Sequence, residues 1–206
     1  MLLWAGVGFL LFGVIAFAFD RRAAHAVHAA VPRSVHRGLA RTTDWAKGAH
    51  WLAVAILCLA AADAILWLFG RPDWLRLAAR AALAFLACLA AASAVLHTIK
   101  FLAGRRRPRD ELEHDLYGFR LLHFDSQHDS FPSGHAMTIF CVAVVAAGLV
   151  PALWPAWFGL ALYLALTRAL LNAHFFSDVL IGAGIGLVVS REVLLYFFPA
   201  LTQPWF

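Results

Sequence analysis

Six apolar runs, each near the length that crosses a lipid bilayer, constrain this chain more than any other feature. They cover residues 2–19, 49–69, 77–97, 136–150, 154–171 and 179–198. A helix needs about 20 apolar residues to span the hydrocarbon core, and only helices or closed barrels satisfy their backbone there. The rest of the composition agrees. Hydrophobic residues make up 63% of the chain and charged residues only 14%, too few to clothe a soluble domain. The pattern predicts an all-α protein, a bundle of six transmembrane helices forming one domain over 1–206. Residues 2–19 lack the charged leader of a signal peptide and read as an uncleaved first span.

The segments between the runs are not uniform. Residues 20–47 carry Arg21, Arg22, Arg33, Arg37, Arg41 and Lys47 among alanines, valines and the histidines His25, His28 and His36. Apolar and basic positions recur at roughly helical spacing, which predicts an amphipathic helix in the headgroup layer. A plain solvated linker is the alternative, especially near Pro32. Asp63 lies inside the second run, where a carboxylate needs a partner, and a structural pairing with an arginine is expected. Gly70-Arg71-Pro72-Asp73 reads as a turn. Residues 101–131, between the third and fourth runs, form a polar loop too long for a passive connector. Its His123, Asp125, His128 and Asp129 are expected to be solvated, ahead of headgroup recognition or a metal site. Cys58, Cys88 and Cys141 lie in apolar runs without metal spacing and read as small buried hydrophobes. Gly182, Gly184 and Gly186 allow close packing in the last span. Trp154, Trp157, Trp205, Phe197 and Phe198 lie near span ends, as an interfacial belt requires. The net charge of +5 comes without a basic stripe on a soluble module, so anionic lipid rather than nucleic acid is the expected partner.

Three polar patches sit at run ends. The first is Lys100 with Arg107-Pro108. Two cations in fixed placement can grip phosphoryl oxygens, or the cluster faces anionic lipid, the reading given to Arg105, Arg106 and Arg109. The second is Pro132-Ser133-Gly134-His135. Ser133 is a good N-cap, and the N–H groups of Ser133, Gly134 and His135 would form an anion site at a helix N-terminus. Ordinary capping beside an incidental histidine is the alternative. The third is Thr167-Arg168, His174 and Asp178. On a helix, His174 and Asp178 would share a face, and the carboxylate would take the Nδ1 proton and leave Nε2 as a nucleophile or base. Taken alone, those two residues read more often as a satisfied structural pair.

Taken in order, Lys-x6-Arg-Pro, Pro-Ser-Gly-His and Arg-x5-His-x3-Asp resemble the three-part signature of the type-2 phosphatidic acid phosphatase superfamily. The resemblance covers 100–178, and Thr167 stands where the family usually has serine. It implies phosphoryl transfer without metal or cofactor. His174 would attack phosphorus and form a phosphohistidine, with Asp178 orienting it. His135 would protonate the leaving oxygen and then activate water. Lys100, Arg107, Arg168, Ser133 and Gly134 would hold the phosphoryl oxygens. A six-span count places all three motifs on one membrane face.

The function expected is a membrane-embedded phosphatase of lipid phosphates or diphosphates. Candidate substrates are undecaprenyl diphosphate, phosphatidylglycerol phosphate, phosphatidic acid and a lipid A phosphate. A lipid-to-lipid phosphotransferase with the same site is the alternative among enzymes. A transporter or binding protein with a degenerate site is the alternative outside them. The resemblance implies a bacterial cytoplasmic (inner) membrane with the site on the extracytoplasmic face. Charge points the other way. Of 17 lysines and arginines, 13 fall on the motif side, and Arg71, Arg76, Arg80 and Arg191 on the other. The positive-inside rule would put the larger group in the cytoplasm.

Overall fold

The computed structural model describes residues 1–69, 73–122 and 128–206, the first stretch without the side chains of 63 and 66–69. The side chain of Asp63, the turn at 70–72, His123 and Asp125 therefore lie outside the described residues. Nine α-helices are described: α1 (Leu2–Ala16), α2 (Asp20–Ala30), α3 (Arg33–Thr42), α4 (Gly48–Phe69), α5 (Asp73–Ala103), α6 (Pro108–His114), α7 (Gly134–Leu149), α8 (Trp154–Leu170) and α9 (Phe176–Phe197). Among the described residues there is no strand, only isolated bridges from Arg105 to Phe119 and to Asp129.

The six apolar runs become α1, α4, α5, α7, α8 and α9. The count of crossings is less firm than the runs imply. Three helical segments, Asp73–Ala103, Pro151–Leu170 and Phe176–Phe197, pass the length and hydropathy expected of a span alone, and two more pass as bent pairs. The helix α1 has 15 residues and α7 has 16, short of a straight crossing.

Residues 20–47 do not form one helix. The chain turns by 87° between α1 and α2. Pro32 then ends α2, with Val31 extended before it, because proline's ring disfavours helical backbone in the preceding residue. A short 3-10 turn, Thr43–Ala46, leads into α4. The near-perpendicular exit from α1 is what an in-plane segment needs. Its inner edge is committed to protein, since Arg21 pairs with Glu111 at 2.6 Å and Asp115 at 2.7 Å, docking α2 on α6.

The helix α9 is the spine of the bundle, packed against α1, α5 and α7. Small residues permit the close approach. A Cβ at Gly184 would lie 3.1 Å from the Gly6 carbonyl oxygen of α1, and one at Gly186 only 2.6 Å from the Met137 carbonyl oxygen of α7. Around this seam lies a core that includes Phe85, Cys88 and Leu96 of α5, Phe140, Cys141 and Val144 of α7, and Leu164 of α8. Cys88 and Cys141 are buried as expected, but Cys58 is exposed on α4. It lies near Ile56 and Leu57, which are also exposed, an outer surface suited to lipid. At the end opposite the motifs, Trp154 and Trp205 meet at 6.0 Å.

Candidate active site

The site is assembled where α5, α7, α8 and α9 end on one side. Lys100 is in the last turn of α5. Arg107 is extended (φ −84°, ψ 157°) and Pro108 opens α6, so proline ends one segment and starts the next. Between them lies Arg105, which is not a lipid-facing cation. It is fully buried. Its guanidinium donates to Asp178 Oδ1 (2.6 Å), Ser177 Oγ (2.8 Å), Asp20 Oδ2 (2.8 Å) and the Tyr117 hydroxyl (2.8 Å). Phe17, Tyr117, Phe119 and Phe175 surround it, with ring centres 4.1–5.3 Å from its carbon. Burial opposes its charge, but Asp178 and Asp20 more than offset this and raise its pKa above the ordinary value, so the guanidinium stays charged. Sequence reasoning assigned it to the headgroup layer and missed its role as the clamp of the site.

Asp129 and Ser130 carry much of the geometry. Asp129 takes a bidentate pair from Arg107, at 2.8 and 3.0 Å. Its carbonyl accepts from Lys100 Nζ. It is therefore part of the cationic cradle rather than of a solvated loop. Buried Ser130 donates from Oγ to Asp178 Oδ2 at 2.6 Å, and its carbonyl faces His174 Nδ1 at 2.7 Å. Its own N–H donates to the Arg105 carbonyl. The one local signal for Ser130 was its place immediately before Phe131-Pro132.

His174 is not on a helix with Asp178. It lies in the loop between α8 and α9, while Asp178 is in the first turn of α9. There Asp178 Oδ2 accepts from the Phe175 N–H at 2.8 Å, a helix-capping contact. The distance from His174 Nδ1 to Asp178 Oδ2 is 4.0 Å, too long for a hydrogen bond. The direct His–Asp bond expected from the spacing is replaced by a relay through Ser130. The consequence for the imidazole is the same. A carbonyl only accepts, so the proton sits on Nδ1 and Nε2 keeps its lone pair. Burial, reinforced by the positive charges of Arg168, Lys100 and Arg107, holds the His174 pKa well below its ordinary value.

The Pro-Ser-Gly-His turn is pinned against α9. Ser133 N–H donates to the Asp178 carbonyl at 2.9 Å, and Ser133 Oγ caps Ala136 N–H at 3.5 Å. The Ser133 N–H is thus not one of the free donors expected. Gly134 and His135 are the first residues of α7, where N–H groups have no intrahelical acceptor. His135 Nε2 is buried without a hydrogen-bond partner among the described residues, and so is Arg168 Nε. Arg168 Nη1 donates to Thr43 at 3.2 Å, and its carbonyl accepts from His174 N–H at 3.2 Å. The Thr167 hydroxyl is structural, bonded to Thr43 and to the Leu164 carbonyl. Asp20, Thr43 and Ser177 were also missed, because each is a partner supplied across the fold.

The model of the PAP2 superfamily matches residues 81–201, which include all three motifs. The chain belongs to the PAP2 superfamily. Two curated relatives are similar over part of their length. A lipid A 1-phosphatase of Rhizobium johnstonii is 32% identical over 99 residues, covering 48% of this chain and 41% of that protein. A lipid A 1-phosphatase of Rhizobium etli is 32% identical over 88 residues, covering 43% and 38%. The matched stretch thus spans about two fifths of each relative. Two crystal structures share the fold. One is the transmembrane PAP2-type phosphatidylglycerolphosphate phosphatase of Bacillus subtilis, with TM-score 0.61, 20% identity and coverage of 94% and 96%. The other is Aquifex aeolicus LpxE, with TM-score 0.61, 19% identity and coverage of 86% and 96%. With the apolar helices, these membrane neighbours make the PAP2 chain an integral membrane protein. Among its described residues, no three His, Cys, Asp or Glu side chains gather as metal ligands would.

Proposed function

We propose that this PAP2 protein is a lipid phosphate phosphatase that works through a phosphohistidine on His174. The observation that carries the reading is the His174 imidazole, bonded at Nδ1 to the Ser130 carbonyl and acted on by the charges of Arg168, Lys100 and Arg107. A neutral imidazole with a free lone pair beside three cations is suited to attack the phosphorus of an anionic ester.

In the first step Nε2 of His174 forms a bond to phosphorus while the bond to the lipid oxygen breaks. His135, which takes up a proton once the anionic phosphate bound beside it offsets the positive charges of Arg168, Lys47 and Arg107, gives that proton to the leaving oxygen. Lys100, Arg107 and Arg168, with the N–H groups of Gly134 and His135 and the Ser133 hydroxyl, take up charge on the phosphoryl oxygens. In the second step His135 takes a proton from water, the oxygen attacks phosphorus, and the N–P bond breaks. Inorganic phosphate leaves and both histidines return to their starting forms. Asp178 acts on His174 through Ser130 and through its pairing with Arg105.

The site lies at the helix ends, so a lipid phosphate enters at headgroup depth. The curated relatives are named for lipid A and one structural neighbour for phosphatidylglycerolphosphate, which makes these the first substrates to assay, followed by phosphatidic acid and undecaprenyl diphosphate. Purified protein in detergent with a chelator should release phosphate from at least one of them. Acid quenching during turnover should trap an acid-labile phosphoprotein, absent in His174→Ala. Full activity of His174→Ala would remove the nucleophile assignment.

A further inference from the structure

Arg168 is held differently from the other two cations of the cradle. Arg107 is gripped by the Asp129 carboxylate and Lys100 by the Asp129 carbonyl. Among the described residues, the side chain of Arg168 has one hydrogen bond, from Nη1 to Thr43 Oγ1 at 3.2 Å, and its buried Nε has no partner. Thr43 is buried, and the 3-10 turn that it opens is pinned on two sides. Toward α8, Thr43 Oγ1 also accepts from Thr167 Oγ1 at 2.9 Å. The Thr42 and Tyr163 hydroxyls meet at 3.2 Å, one helical turn before Thr167 on α8. Toward α4, His50 Nδ1 bonds the Asp44 carbonyl at 3.0 Å, and Trp51 Nε1 donates to the Trp45 carbonyl at 2.6 Å. A Cβ at Gly48 would lie 3.3 Å from Thr138 Oγ1, three residues past His135 on α7. The charges of Asp44 and Lys47 act on His135. Residues 43–48 thus wall the site on the side of Arg168 and His135, although the family model matches only 81–201.

We infer that Thr43 is a positioning residue of the site, whose hydroxyl aims the Arg168 guanidinium at the phosphoryl oxygens. The inference rests on the phosphatase reading. A guanidinium is a rigid planar fork, so holding Nη1 fixes the direction of its other N–H donors. A hydroxyl suits this task better than a carboxylate. It orients the arginine without neutralising it, and the whole positive charge stays available to the phosphate. The two lone pairs of the Thr43 hydroxyl accept from Arg168 and from Thr167 together. The Thr167 hydroxyl, next to Arg168 in the chain, therefore holds the group that holds the arginine. An unrestrained arginine samples many rotamers, and ordering it before the lipid arrives takes that entropy cost out of binding.

The test measures KM and kcat in uncharged micelles on the lipid phosphate that the wild type turns over fastest. The inhibition constant of inorganic phosphate gives a second reading of the same grip. Thr43→Val, close in shape but without the hydroxyl, should raise KM and the inhibition constant about tenfold. Its melting temperature should stay near that of the wild type, because Thr167 keeps the Leu164 carbonyl as acceptor at 2.6 Å. Thr43→Ser should restore both constants. An ammonium has no fork to aim, so in an Arg168→Lys background Thr43→Val should change them less than about twofold. Unchanged constants in Thr43→Val, an equal loss in the two backgrounds, or a loss that Thr43→Ser does not recover overturns the assignment. A loss that follows the melting temperature also overturns it and leaves Thr43 a packing residue. Failure of the wild type to hydrolyse any lipid phosphate would instead overturn the phosphatase reading, and this assignment with it.

Discussion

The imidazole of His174, the proposed nucleophile, is tuned by charges it does not touch. Its pKa is lowered by burial first and then by Arg168, Lys100 and Arg107. Protonated His174 has no lone pair to attack with, so activity is lost as pH falls through that pKa. Because the pKa is depressed, the acid limb of kcat/KM should lie below the ordinary histidine value of about 6.5. The linkage has the same sign. The native state holds this histidine neutral, so its contribution to stability is present above about pH 6.5 and is lost as pH falls further. Arg168→Gln removes one positive charge and should move the acid limb of its residual activity toward neutral pH, whereas Arg168→Lys should leave the limb in place. The substrate's own ionisation is common to all three proteins and cancels. A limb that does not move in Arg168→Gln would show that Arg168 does not act on this group. At this scale the sequence displayed the proposed reacting groups but not their partners. The four-residue step from His174 to Asp178 matches a helical face, yet the helix begins at Phe176, between them. Asp178 therefore caps its own helix, and the carbonyl of Ser130, 44 residues earlier, accepts the hydrogen bond from the imidazole Nδ1–H.

At the scale of elements, α9 positions the rest. A Cβ at Gly182 would lie 2.3 Å from the Ser133 carbonyl oxygen, and backbone cannot move aside as a side-chain tip can. Gly182→Ala should push the Pro-Ser-Gly-His turn off α9, cost about 1–3 kcal/mol, and lower kcat along with thermal stability. Gly159→Ala, where a Cβ meets nothing within 4 Å, is the matched control and should be neutral. Equal behaviour of the two variants would contradict this role for the α7–α9 contact. The glycine triplet was legible as a packing stripe, but not its neighbour, because periodicity identifies a face and not what covers it. Arg105 shows the same boundary more sharply. It reads as one of three consecutive arginines, and only the fold brings Asp20, 85 residues away, and Asp178 to it. Removing one side of a buried ion pair strands the other, at about 3–5 kcal/mol. Arg105→Gln should accordingly lower the unfolding temperature in detergent far more than Arg120→Gln, on the exposed surface. Equal melting temperatures would show that the buried carboxylates do not need it.

For the whole molecule, the open question is which face of the membrane holds the site, and here motif and charge disagree. The structure shows why a count of basic residues is a poor guide for this chain. Arg105 is sealed between two carboxylates, Arg107 is paired with Asp129, and Arg21 with Glu111 and Asp115. Lys47 faces Asp44, and Lys100 and Arg168 belong to the proposed site. The rule weighs lysines and arginines in loops near the spans. Here Arg22, Arg33, Arg37, Arg41, Arg106, Arg109 and Arg120 remain outside that group, against four on the opposite side. The surplus narrows but keeps its sign. The family resemblance puts the site on the extracytoplasmic face, and that placement is the one to test. In a Cys58→Ser background, which removes the exposed native thiol, a cysteine at the exposed Leu116 position should react with a membrane-impermeant maleimide in intact cells or spheroplasts. Labelling only after permeabilisation would place the site in the cytoplasm. It would also return the basic surplus to its usual topological meaning.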